Sequence, residues 1–316
     1  MTYHQLTSAE RYMISALRKQ GLNQSEIGAN LGRHRSTICR ELKRNASRLG
    51  HYRPSNAIEM TSGRRARSRR NLQFDYAQFK RVEDLLREYW SPEQISGHLR
   101  REREFLISHE TIYRYIWNDL KRGGTLHTHL RGARKKRRKR YGAYDSRGKL
   151  AGKRHISERP ARVESRSQLG HWEIDTVMGT GSKHCIVSIV ERKTGYLLIG
   201  KLRARTQQQL SKRAIRLIRQ HTERFRTITA DNGTEFHDYQ SIERATNVPF
   251  FFCTPHHSWE RGTNENTNGL IRQYIPKGTS MAKLDQYQCN AIARQLNRRP
   301  RKRLGFKTPE ECFYAD

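Results

Sequence analysis

The sequence predicts a multidomain protein, with all-α helix-turn-helix units at the N-terminus followed by an α/β domain. Three observations carry this prediction. Two apolar-periodic segments with capping signals lie before residue 122. A basic run without periodicity follows, and strand-like and helix-like segments then alternate from about residue 166. The expected organisation is a first helix-turn-helix unit over 1–50, a basic connector and second unit over 51–122, a basic flexible linker over 123–165, and the α/β domain with C-terminal helices over 166–316.

In the first unit, Thr7 and Glu10 form a T-x-x-E capping box ahead of an apolar stripe of Tyr12, Met13, Ala16 and Leu17. Gly21 ends that helix. A short helix follows from Gln24 to Leu31, Gly32 turns the chain, and a third helix runs from about Arg35 to Arg44. Ile27, Leu31, Ile38 and Leu42 would share the core, with Gly28 letting two helices approach. A generic three-helix bundle with a basic surface would show the same periodicity. The third segment, RHRSTICRELKRN, tips the reading, because Arg33, Arg35, Ser36, Thr37, Arg40, Lys43 and Arg44 are donors suited to base edges and phosphates.

A second such unit is expected between residues 75 and 120. Ser91-Pro92-Glu93-Gln94 is another capping box, with proline at the first helical position and Ile95 and Leu99 facing inward. Ser108 caps HETIYRYIW, which turns Ile112 and Ile116 inward and His109, Thr111 and Arg114 outward. The longer turn leaves base reading by this unit open. The stretch RRARSRR (64–70) reads as a basic connector able to track a phosphate backbone.

The formal net charge is +33 at pH 7, with a pI near 10.6. Such a surplus opposes compaction unless a polyanion neutralises it, and double-stranded DNA is the natural one. The absence of a long apolar run or a signal-peptide pattern argues against a membrane partner, and five scattered cysteines point to a reducing compartment. The expected location is the cytoplasm. The run RGARKKRRKRYGAY has no acid and no periodicity, and is expected to be an unfolded linker whose charges also bind DNA.

Within the α/β region three acids fall on separate elements: Asp175 in the strand of GHWEIDTV, Asp231 at the end of the strand ITAD, and Glu265 in a later helix. Strand-held and helix-held carboxylates suit phosphoryl transfer with two hard divalent cations, Mg2+ with Mn2+ as substitute. Asp175 would bridge the ions, with Asp231 and Glu265 holding one each. Glu173, on the same strand face as Asp175, and Glu260, five residues before Glu265, remain competitors.

The first unit, GHWEIDTV, TADNGTEF and HSWERGTNENTNGLIRQYIPKG together resemble the Insertion Sequence Thirty family of bacterial transposases, over essentially the whole chain. The resemblance implies a ribonuclease-H-like catalytic fold with an Asp-Asp-Glu triad on Asp175, Asp231 and Glu265, the last two separated by 33 residues. It also implies a basic residue seven positions after the glutamate, here Arg272, which would grip substrate phosphate two helical turns along. The implied activity is cleavage at terminal inverted repeats followed by attack of the freed 3′-hydroxyl on target DNA, in a homodimer or larger synaptic assembly. Two rivals remain: a helix-turn-helix regulator with a non-catalytic α/β domain, and a ribonuclease-H-like nuclease that never joins strands.

Overall fold

The computed structural model describes residues 5–47, 50–70, 74–132, 152–181, 183–255 and 257–315. The chain divides into two compact units, Met1–Phe79 and Lys80–Asp316.

The first unit is built on α1 (Ser8–Lys19), α2 (Gln24–Asn30) and α3 (Arg35–Asn45). Its capping box closes as expected: the Glu10 amide donates to Thr7 Oγ1, and the Thr7 amide to the Glu10 carboxylate. Ile14, Ile27, Ile38 and Leu42 form the core. Gly28 is required by proximity, because a Cβ there would stand 2.7 Å from the Arg33 carbonyl oxygen. A buried ion pair, Arg11 to Glu41 at 2.7 Å, ties α1 to α3, and the Tyr52 hydroxyl donates to the same carboxylate. The stretch 64–70, expected as a connector, is instead the last part of a further helix, α4 (Pro54–Arg70). Arg64 there donates to the Arg44 carbonyl and the Asn45 side chain, so its charge is engaged on α3.

In the second unit, α5 (Tyr76–Arg87, its first turn lying before the division), α6 (Pro92–Arg101) and α7 (His109–Lys121) precede the sheet. Leu86, Ile95, Leu99, Ile112 and Ile116 are buried there, and the Ser91 and Ser108 caps form as the sequence indicates. These helices were expected to stand apart from the α/β domain behind a linker, yet they belong to the same compact unit. Gln94 Nε2 donates to the Pro300 carbonyl at 2.8 Å, Glu93 pairs with Lys302, and Arg101 pairs with Glu311. Gly97 lies directly against the Phe306 ring.

The expected linker is also shorter than 123–165. Residues 152–165 fold onto the sheet through two 3-10 turns, Ile156–Glu158 and Ala161–Val163, with Arg159 buried and its Nη1 on Thr229 Oγ1. The basic run over 133–144 lies outside the described residues.

The sheet contains β1 (His171–Met178), β2 (Cys185–Glu191), β3 (Leu197–Leu202), β4 (Thr227–Ala230) and β5 (Phe250–Phe252) in the order β3-β2-β1-β4-β5. Only β2 runs against the others. This is the ribonuclease-H-like arrangement. One face carries a core with Trp172, Ile174, Phe236 and Phe250, covered by α8 (Gln207–Arg219), α9 (Tyr239–Thr246) and α12 (Pro309–Tyr314). The other packs Val177, Ile186 and Ile199 against Leu270 and Ile271 of α10 (Gly262–Tyr274) and Ile292 and Leu296 of α11 (Gln286–Asn297). Helices on both faces of a largely parallel sheet leave the strand ends as the place for chemistry.

Candidate active site

Alternation along β1 sends Trp172 and Ile174 to one core and Glu173, Asp175 and Val177 toward α10. Parallel pairing aligns Glu173 with Thr229, and the same register carried on two residues brings Asp231 beside Asp175. Backbone amides hold both acids: Thr176 donates to Asp175 Oδ1 and Gly233 to Asp231 Oδ1, each at 2.8 Å. Asn268 of α10 donates to Asp175 Oδ2 at 2.9 Å, and its own amide oxygen lies 2.9 Å from the Ser188 hydroxyl of β2.

The sequence reading passed over the residue that joins the pair. Arg261, just before α10, places Nη2 3.1 Å from Asp231 Oδ2 and Nη1 3.5 Å from Asp175 Oδ1. The same guanidinium donates to the Ile174 carbonyl. Burial pushes the Asp175 carboxyl above its usual range; Arg261 pulls it back, and the neighbouring Asp231 pushes it up again. Burial works against the charge of Arg261, yet the two aspartates outweigh it and hold the guanidinium still more firmly protonated.

Glu265 is exposed on α10, one turn after Arg261, and lines the same cavity as Asp175 and Arg261. The aspartate pair suits a cation, since it already shares one positive charge between two carboxylates. Glu265 is not drawn in to complete a ligand set, and among the described residues no three His, Cys, Asp or Glu side chains converge on one point. Arg272 lines the cavity two turns along α10, donating to the Met178 carbonyl at 2.9 Å.

The two competing acids have other partners. Glu173 is fully buried, ion-paired to Arg192 at 3.2 Å, and accepts the Asn264 amide. Glu260 lies before α10 begins, within the 3-10 turn Ser258–Arg261, where its carboxylate accepts the amide and hydroxyl of Thr254. A fourth acid near the pair was missed: Glu235, buried, accepts from Thr176 Oγ1 and Arg205 Nε, both at 2.7 Å. Its place inside TADNGTEF, four residues after Asp231, was the available signal.

Of the expected DNA-contacting side chains, Arg35, Arg40, Lys43 and Arg44 are exposed on α3. Ser36 and Thr37 are half-buried, and Ser36 Oγ lies 2.8 Å from Nδ1 of His34, the residue that caps the helix. Arg33 departs from the expectation, because its Nε is committed to Glu10 at 2.8 Å. On α7, His109 and Arg114 are exposed, and Arg114 donates to the half-buried Thr111. No helix among the described residues is long and apolar enough to cross a membrane.

Comparison with known proteins adds an independent line. A helix-turn-helix domain family matches residues 2–45, the span of α1 to α3. The catalytic core domain of BIV integrase aligns over 46% of this chain and 94% of that one, at 18% identity and a TM-score of 0.36. The transposase for insertion sequence element IS4351 of Bacteroides fragilis is 41% identical over 309 residues, covering 98% of this chain and 95% of that protein. The transposase InsI for IS30A of Escherichia coli K12 is 36% identical over 323 residues, covering 98% and 83%. Similarity of this extent, with the helix-turn-helix fold at one end and the aspartate pair at the other, places the chain in the Insertion Sequence Thirty (IS30) family of bacterial transposases.

Proposed function

We propose that this chain binds the terminal inverted repeats of an insertion sequence, cleaves the DNA strand there, and joins the freed 3′ end to target DNA. The observation that carries the reading is the pair Asp175 and Asp231, held by backbone amides at adjacent strand positions and sharing one cation. Asp175, Asp231 and Glu265 would hold Mg2+, two ions per site, with Mn2+ as substitute. Such ions supply Lewis-acid stabilisation of the attacking and leaving oxygens.

In the first step a water oxygen bonds to phosphorus as the water gives up a proton, and the bond from phosphorus to the 3′ oxygen breaks, the departing oxygen taking up a proton. A 5′-phosphate and a 3′-hydroxyl result. In the second step that hydroxyl loses its proton and attacks a target phosphodiester, expelling the target strand's own 3′ oxygen. No covalent protein intermediate is required. Asn268 fixes the Asp175 carboxylate, Arg272 holds substrate phosphate, and α3 supplies recognition through Arg35, Ser36, Thr37, Arg40, Lys43 and Arg44. His109, Thr111 and Arg114 of α7 give a second contact surface for DNA. Two ends must be held for joining, so the working form is a homodimer or larger synaptic assembly acting in the bacterial cytoplasm.

The test is a labelled precut repeat end incubated with target DNA and Mg2+ or Mn2+. Glu265→Gln should eliminate cleavage and joining, Asp231→Ala should do so with repeat affinity nearly unchanged, and Glu260→Gln should retain most activity. A folded, DNA-binding Glu260 variant that alone is dead would overturn the triad. Hydrolysis without any joined product would make the chain a nuclease, and binding without either reaction would make it a regulator.

A further inference from the structure

We infer that Arg131, contributed from outside the α/β domain's own strands and helices, is a phosphate-positioning residue of the catalytic cleft; the inference rests on the reaction proposed above. Arg131 follows a 3-10 turn, Leu126–His129, which is pinned at both ends. The Leu126 amide donates to Asp119 Oδ2, and the His129 ring meets that of Tyr89, which in turn packs edge-on against Tyr274 of α10. The turn thereby delivers Arg131 across α10, where Nη1 donates to Asn266 Oδ1 at 3.0 Å. The guanidinium passes over Gly269, where a Cβ would stand 2.8 Å from Nη2.

That placement orders charge along one helix face. Glu265, Gly269 and Arg272 succeed one another at helical spacing, so Arg131 crosses between the acid end and Arg272. The rises are about 6 Å from Glu265 to Gly269 and about 10 Å from Glu265 to Arg272. All line one cavity of about 740 Å³, whose remaining cations are Lys277 and Arg261, the latter already paired with Asp175 and Asp231. Among the described residues, neither Arg131, Arg272 nor Lys277 forms an ion pair, although Glu265 lines the same space. Cations left without carboxylates beside a cleft for DNA suit the backbone, whose charges recur every 3.4 Å of axis along one strand. Arg131 would hold the phosphate next to the reacting one, and Arg272 a phosphate further out.

The experiment replaces single phosphates of a repeat-end duplex with neutral methylphosphonates, through the first few positions on each side of the cut. Binding is read in Ca2+ without turnover, and KM and kcat in Mg2+. The full-length wild type should lose about tenfold in affinity at one position adjacent to the cut, and Arg131→Ala should lose nothing further there. Arg131→Ala on unmodified DNA should raise KM several-fold with a smaller effect on kcat, and lower the salt slope by about one. Arg131→Lys should recover part of this, as a point charge without the fork.

Gly269→Ala gives an independent arm, since it displaces the guanidinium and leaves the charge. It should raise KM while Tm holds or rises. A wild-type scan flat across these positions would overturn the inference, as would a penalty undiminished in Arg131→Ala. Normal binding with no cutting by the wild type would instead sink the proposed reaction, with the phosphate contact judged separately on the Ca2+ scan.

Discussion

A Cβ placed on Gly97 would stand 2.2 Å from Cδ1 and Cε1 of the Phe306 ring. Alanine in mid-helix normally gains about 1 kcal/mol over glycine. Here the ring must move, and overpacking typically costs about 1–3 kcal/mol. Phe306 has little freedom to give way, since its own backbone is left-handed at φ 63°. Gly97→Ala should therefore lower the melting temperature of the catalytic unit, and Phe306→Ala in the same chain should restore part of it. An unchanged or raised melting temperature in Gly97→Ala would show that the tail yields freely.

Arg33 and Arg35 are two residues apart and should fail in different ways. Arg35 is exposed at the start of α3, so Arg35→Ala should cost about 1–3 kcal/mol on the cognate repeat and relax preference at one base position. Arg33 is held by Glu10, so Arg33→Ala should lower the melting temperature of the first unit and weaken cognate and scrambled DNA alike. Gel-shift titrations on both DNAs, with melting curves, decide this. Equal losses on both DNAs from Arg35→Ala would remove its base-reading role.

Arg261 supplies the charge that Asp175 and Asp231 share, so a divalent cation entering between them has to displace it. Arg261→Gln should lower the melting temperature in EDTA by leaving two like charges together. It should also shift the Mn2+ midpoint for thermal stabilisation several-fold lower than in the wild type. Saturation at 100 times the dissociation constant would add about 2.7 kcal/mol. An unaltered midpoint would mean that the guanidinium and the metal do not compete.

His171 is buried at the start of β1, its Nδ1 2.8 Å from the Thr227 hydroxyl. Burial first, then Arg226 and Arg159, bring its pKa from 6.5 to about 4. The unfolded chain therefore takes up the proton more readily than the folded one. Stability is complete above pH 6.5 and falls progressively toward pH 4, by about 3 kcal/mol in all. Urea midpoints at pH 7 and pH 5 should differ accordingly. His171→Gln, which cannot titrate, should flatten that part of the profile; an equally steep fall in the variant would assign it to other groups.

What was legible in the sequence was local. The boxes at Thr7 and Ser91 are complete within four residues, and the strands around Asp175 and Asp231 declare themselves by pattern, so these elements form where expected. The contacts that pattern did not reveal join distant positions. Arg261 is one of 63 basic residues and has no periodic signature; only the folded sheet sets it between two aspartates. The pairs Arg11–Glu41 and Glu173–Arg192 are hidden for the same reason. Residues 152–165 read as linker because their attachment to the sheet is made by single pairings without repeat. Gly97 was unremarkable until Phe306, far along the chain, came to rest on it.

The attachment of that segment bears on how the protein tolerates being cut. β5 is a short run of three phenylalanines at the margin of the sheet, and its outer side is met by Arg154 and His155: the Phe252 amide donates to the Arg154 carbonyl at 2.9 Å, and His155 bridges Phe252 in parallel. A fragment starting at residue 166, where composition alone would draw the boundary, loses this cover and leaves the Phe252 amide open at an apolar border. Bare strands of this kind recruit one another. Proteolysis between 152 and 165 should accordingly yield insoluble catalytic fragment, whereas a cut upstream of 152 leaves the sheet sealed.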